Sequence, residues 1–204
     1  RDWVDLMEIG QIKDIDVHLN IIFPKIELER PLIICSDCHN IKDYSVKAPL
    51  WFRADPTFRG LLMVLREPRD RVHVGDRPPG VIRAEQNPTK YVHGISFGRK
   101  SPATMADQWF SGEILFNPGL VAIIGNKGSG KSALADTLGL LGATKNGDSF
   151  SFLCRERFRH PKGGRADQFY ATLTWESGEP VTRCLAEAVQ TEEVERIKYL
   201  PQHY

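Results

Sequence analysis

A mixed α/β fold is what three features of this 204-residue chain predict: an apolar run of buried type at Leu120-Val121-Ala122-Ile123-Ile124, a glycine-rich turn directly after it, and Leu134, Leu138 and Leu141 at helical spacing beyond the turn. A fourth pattern adds a hairpin. Residues Phe169 to Trp175 alternate with period two, turn at Glu176-Ser177-Gly178-Glu179 and return through Val181-Thr182-Arg183-Cys184-Leu185.

Composition limits what such a fold can do. Lys and Arg number 27 against 26 Asp and Glu, so the net charge of +1 rules out a strongly basic nucleic-acid arm. With 41% apolar and 26% charged residues the chain is ordinary for one or two soluble domains able to bury a core. The longest apolar run spans only a few residues, too short for about 30 Å of hydrocarbon, so no membrane is expected. No charged region followed by an apolar one opens the chain, and cytoplasm is the expected compartment. Cys35, Cys38, Cys154 and Cys184 do not make a disulfide framework and are expected as reduced thiols. The C-x-x-C of Cys35 and Cys38 lacks a second pair at zinc-ribbon spacing.

In chain order, apolar positions at near-helical spacing (Met7, Ile9, Ile12, Ile15) lead through Phe23-Pro24 to Leu32-Ile33-Ile34-Cys35, which reads as a short buried strand ending at Ser36-Asp37. Asp55 is placed to cap a helix with Pro56 at its first position, Phe58, Leu61, Leu62 and Leu65 on its apolar side, and Glu67-Pro68 as its stop. Pro78, Pro79, Gly80 and Pro88 mark the stretch after Gly75 as a linker. Glu113-Ile114-Leu115-Phe116 predicts a strand, Asn117-Pro118-Gly119 a turn, and Ile197-Lys198-Tyr199-Leu200 a last short strand before Pro201-Gln202.

Gly125-Asn126-Lys127-Gly128-Ser129-Gly130-Lys131-Ser132 is a complete G-x-x-x-x-G-K-[ST], between an expected strand and an expected helix. Glycines let successive backbone N–H groups turn inward on phosphate oxygens, and the helix dipole favours negative charge there. The expected nucleotide site is Gly125 through Ala133, with Lys131 between the β- and γ-phosphates and the Ser132 hydroxyl on Mg²⁺. A guanine-specific N-K-x-D is absent: Asn126-Lys127 lies inside the loop, and Asn146 is followed by Gly147-Asp148.

Phe116 through Gly142, the hairpin 169–185 and Tyr199-Leu200-Pro201-Gln202 together resemble the first lobe of an ABC-type ATPase head of the SMC kind. The resemblance implies ATP and Mg²⁺ as cofactors, a role for Gln202 as the Q-loop residue touching Mg²⁺ and the γ-phosphate, and a homodimer of heads. Upstream, Ser36-Asp37-Cys38-His39-Asn40, the stretch from Trp51 to Leu61 and Glu67-Pro68-Arg69-Asp70-Arg71-Val72 resemble TrlF-type proteins, which join a PHP (polymerase and histidinol phosphatase) domain to such a head. That resemblance implies Asp37 and His39 as ligands of a second divalent metal, Zn²⁺ or Mn²⁺. The H-x-H of a PHP domain is nowhere in the chain, nor are the signature loop, the Asp-Glu strand end and the switch histidine of a complete head.

The resulting expectation is an internal fragment: residues 1–74 the C-terminal part of a PHP-like phosphoesterase domain, 75–101 a linker, and 102–204 the N-terminal lobe of an ABC/SMC-like P-loop ATPase domain. The intact protein would be an ATP hydrolase whose head drives a phosphoesterase or nuclease-like activity on nucleic acid, the fragment alone being inactive. A non-hydrolysing, nucleotide-gated binding module is the alternative. A small-molecule P-loop kinase suits the Asn-Pro-Gly turn and the hairpin less well. Arg155, Arg157, Arg159, Lys162 and Arg165, interleaved with Phe152 and Phe158, read as a solvated loop before they read as a nucleic-acid surface. Trp109-Phe110 and the Tyr170/Trp175 pair read as packing.

Overall fold

The computed structural model describes residues 4–100, 111–162, 165–190 and 192–201. The chain divides into two units between Ile82 and Arg83.

In the first unit, β1 (Met7–Glu8) is followed by one helical stretch made of α1 (Asp14–Val17), a widened π turn over His18–Ile22 and α2 (Phe23–Ile26). Pro24 accounts for the widening, because it returns no N–H to the carbonyl four residues back and its ring crowds that turn. β2 (Leu32–Ile33) then pairs in parallel with β1, covering the first half of the apolar run 32–35. Phe23 closes over Ile9, Leu32, Ile34, Ala48 and Val74 as a small core. β3 (Leu50–Phe52), α3 (Phe58–Arg66), α4 (Pro68–Arg71) and β4 (Val72–Val74) follow, with β3 and β4 antiparallel. The helix expected after Asp55-Pro56 forms, but its cap is Thr57, whose hydroxyl accepts from the Gly60 N–H at 3.0 Å. Threonine two residues later offers the same acceptor with an extended backbone, which the cap requires.

α5 (Pro79–Gln86) crosses the division between the units and leads to β5 (Val92–Arg99). β6 (Gly112–Leu115), α6 (Lys131–Leu141), β7 (Phe169–Trp175) and β8 (Pro180–Cys184) complete the second unit. Its sheet is antiparallel throughout, in the order β6-β5-β7-β8. Over its described residues, 75–100, the stretch expected as the linker 75–101 therefore holds a helix and a strand instead. Pro79 starts a helix, as proline does well, and Ile95 and Phe97 point from β5 into the core of the sheet.

The expected hairpin is present as β7 and β8, and Phe169, Ala171, Leu173 and Trp175 are buried while Tyr170 is exposed. Leu134, Leu140 and Leu141 of α6 pack on that face with Phe150, Leu153 and Leu185. Each such leucine contributes about 1.5–3 kcal/mol through the apolar area it removes from water. Two expected strands do not form. Leu120 to Ile124 lies outside any sheet, with Leu120 93% and Ile124 90% exposed, and Ile197 to Leu200 is irregular too. A strand exists only where a neighbour takes its N–H and C=O groups, and among the described residues none flanks either run. The architecture is mixed α/β, with two two-stranded sheets and one of four strands among the described residues.

Candidate functional site

Gly130, at φ +91°, caps α6, so Lys131 and Ser132 stand in the first helical turn, where N–H groups have no partner within the helix. Gly128 at φ +87° is also left-handed, a backbone that side chains adopt only with strain. A Cβ at Gly125 would collide with the Ser129 hydroxyl, so the ring of the loop is as tight as glycine allows. The Ser129 N–H donates to the Asn126 carbonyl at 3.2 Å, closing the turn.

Lys131 folds back over this ring, its ammonium donating to the carbonyls of Gly125 at 2.7 Å and Asn126 at 2.8 Å. Residues 121–129 are exposed, Ser132 is half-buried and Ala133 is buried. The nine residues expected to bind nucleotide, Gly125 through Ala133, thus form one turn and helix start. Positive charge, a helix amino end of eleven residues and a narrow glycine ring suit an anion with several oxygens. Beside the loop, Val121 and Ile123 line a cavity of about 540 Å³ with Phe116, Leu138 and Ile197.

Gln202 lies outside the described residues, as do Trp109 and Phe110. Asp37 and His39 belong to the first unit, on the irregular stretch after β2, where both are exposed and Asp37 takes φ +52°. Among the described residues no group of three or more His, Cys, Asp or Glu is placed to hold a metal. The two expected ligands do not by themselves make a donor set. All four cysteines are free, and the Cys38 thiol donates to the Asn40 carbonyl.

The basic stretch holds itself together. Phe152 and Phe158 stack with centroids 4.7 Å apart, and both pack on the sheet's core. The Arg159 guanidinium donates to the carbonyls of Leu185 at 2.7 Å and Glu187 at 2.6 Å, and burial draws its pKa below the usual value. Arg155, Arg157, Lys162 and Arg165 are exposed. Trp175 is core, with the Arg196 guanidinium 4.0 Å over its ring.

Sequence reasoning missed a second group of residues around α6. The Asp136 carboxylate, fully buried, accepts from the N–H groups of Phe152 at 2.6 Å and Leu153 at 3.1 Å and from the Tyr199 hydroxyl at 2.8 Å. Burial, and then the bond to Asp136, push the Tyr199 phenol up to about 12. Asn146 donates to the Tyr199 carbonyl at 2.7 Å, and the Tyr199 N–H donates to the Thr144 hydroxyl at 3.2 Å. Glu195 accepts from the Thr144 hydroxyl at 3.0 Å and the Lys145 N–H at 2.9 Å. A signal was there: Asp136 is the one charged residue between Lys131 and Lys145, in a stretch otherwise built to be buried.

Comparison of the chain with family models, with curated proteins and with solved structures found no match. Among the described residues no helix is long and apolar enough to cross a membrane.

Proposed function

We propose that Gly125 to Ala133 binds the phosphates of ATP with Mg²⁺, and that the chain is part of a P-loop ATPase. The observation that carries this reading is the tight glycine ring opening directly into α6, with the Lys131 ammonium suspended over its carbonyls. Backbone N–H groups of the loop and the first turn donate to phosphate oxygens. Lys131 exchanges two carbonyl acceptors for β- and γ-oxygens, gaining charge-assisted bonds. Ser132, on the first turn, would hold Mg²⁺ through its hydroxyl, and the metal when bound neutralises phosphate charge and favours displacement at the γ-phosphorus.

The resemblance to SMC-type heads extends this reading to hydrolysis, to a Q-loop role for Gln202 and to a homodimer of heads in a cytoplasmic setting. The resemblance to TrlF-type proteins extends it to a PHP-type phosphoesterase or nuclease-like activity on nucleic acid. Asp37 and His39 lack further donors among the described residues, so no reaction step is assigned to a second metal there.

The test is a titration of a fluorescent ATP analogue with Mg²⁺ into the chain and its Lys131→Ala variant. Saturable binding that the variant loses supports the reading; a folded wild-type chain that binds nothing ends it. Binding without phosphate release by an intact protein would turn the ATPase into the nucleotide-gated binding module.

A further inference from the structure

The phosphate chemistry above makes no use of Asp136, although a fully buried carboxylate is costly unless its acceptors are filled. Three donors fill them: Phe152 N–H, Leu153 N–H and the Tyr199 hydroxyl. Asp136 follows Ser132 by four residues on the same continuous helix, which sets it on the same face about one turn, 5.4 Å, further along. Tyr199, in contrast, arrives from 63 residues away. Its segment meets α6 at Asp136 and again past the helix's carboxyl end. Asp136 is the middle residue of the eleven in α6; beyond the carboxyl end the Gly142 carbonyl accepts from the Arg196 and Ile197 N–H groups, and Thr144 and Asn146 bond Tyr199.

We propose that the Asp136–Tyr199 bond is a positioning latch through which phosphate occupancy of the loop tightens the docking of residues 195–201 on α6. The proposal rests on the reading of Gly125 to Ser132 as a phosphate site. A bound phosphate pulls Lys131 off the Gly125 and Asn126 carbonyls and fixes the first turn of α6. The carboxylate one turn below belongs to the same rigid cylinder, so it is held in the orientation that Tyr199 needs. Coupling of this kind is reciprocal: docking of the segment raises phosphate affinity by the factor that phosphate raises docking. The chain continues from this segment toward Gln202, which makes the latch a route from the loop to whatever follows. Thr144 and Asn146 anchor the same segment from outside the helix and carry no such coupling.

The experiment follows amide hydrogen exchange across 195–200 in the whole chain, with and without Mg²⁺ and a non-hydrolysable ATP analogue, beside a titration of the same analogue. Wild type is expected to show exchange slowed roughly fivefold or more by the analogue. Tyr199→Phe is expected to bind the analogue more weakly by the same factor and to show no slowing. Asn146→Ala exchanges faster throughout yet keeps the analogue's effect, which a merely structural role for Tyr199 would not predict. Analogue binding that leaves wild-type exchange unchanged, or equal slowing in wild type and Tyr199→Phe, overturns the latch. If Tyr199→Phe does not fold, the wild-type and Asn146→Ala results decide. If wild type does not bind the analogue in the titration, the phosphate-site reading itself has failed, and the latch falls with it.

Discussion

The two ends of α6 are built in opposite ways. At the amino end, residues 121–129 are exposed and the loop is tied mainly to itself, by Lys131 on two carbonyls and by one bond across the turn. At the carboxyl end, Leu140, Leu141 and Thr144 are buried, and Gly142 lies so close to Ile197 that a Cβ there would collide with it. The Gly142 carbonyl also accepts from the N–H groups of Arg196 and Ile197, at 2.8 and 3.0 Å. One helix therefore carries a saturated end that fixes it in the fold and an unsaturated end that has donors to offer. Stability and binding should separate along it.

The sharpest way to break the saturated end is Leu140→Ala. Leu140 is fully buried, and the lost transfer energy plus the cavity should cost about 2–5 kcal/mol in denaturant unfolding. At the other end, Lys131→Ala should weaken binding of a Mg²⁺–ATP analogue by roughly 100-fold, since the lost partner is a charge, while stability stays within about 0.5 kcal/mol. If Lys131→Ala instead lowered stability as Leu140→Ala does, the contrast between the ends would be false. Asn146→Ala removes one hydrogen bond to the Tyr199 carbonyl and should cost about 1 kcal/mol, read by the unfolding midpoint at unchanged slope.

The smallest effects are those of pH on the returning segment. Glu193, held by the Arg183 guanidinium, and Glu195, held by the Lys145 N–H and the Thr144 hydroxyl, have carboxyl pKa values below the ordinary 4.5. Their folded-state values are depressed, so their contribution is present above 4.5 and fades as pH falls through the folded values. Tyr199 is the reverse case: its phenol is raised from 10.0 to about 12, so its contribution is present below 10.0 and fades as pH climbs toward 12. Lys145, Lys198, Arg183 and Asp136 are the charges facing these groups. The denaturant midpoint should fall at both extremes of pH, and Tyr199→Phe should flatten only the alkaline limb.

What could be read from the sequence was what is local. The tight glycine-rich turn follows from glycine spacing, α6 from its leucines, and the hairpin from strict alternation between Phe169 and Trp175, each within a dozen residues. What escaped depends on partners far along the chain. Leu120 to Ile124 has the composition of a buried strand, yet composition cannot supply the neighbour that a strand must bond. The run from Val92 to Arg99 was hidden by the prolines before it, although Ile95 and Phe97 alternate as β7 does. Asp136 and Tyr199 are 63 residues apart, and nothing in either neighbourhood names the other. The Asp55 cap failed by two residues for a simpler reason: Thr57 offers the same acceptor.

β5 sits between β6 and β7, and that position dictates how this polypeptide can be cut. An expression boundary at residue 102, the natural choice if 75–101 were a spacer, would discard the strand on which β6 depends. It would also strip one edge of β7 bare, leaving Ala171 and Leu173 without the cover of Ile95 and Phe97. Such a truncation should come out of cells as aggregate, because an unpaired apolar edge recruits other chains. A boundary at Arg83 keeps the sheet whole, and the yield of soluble material from the two truncations compares them directly.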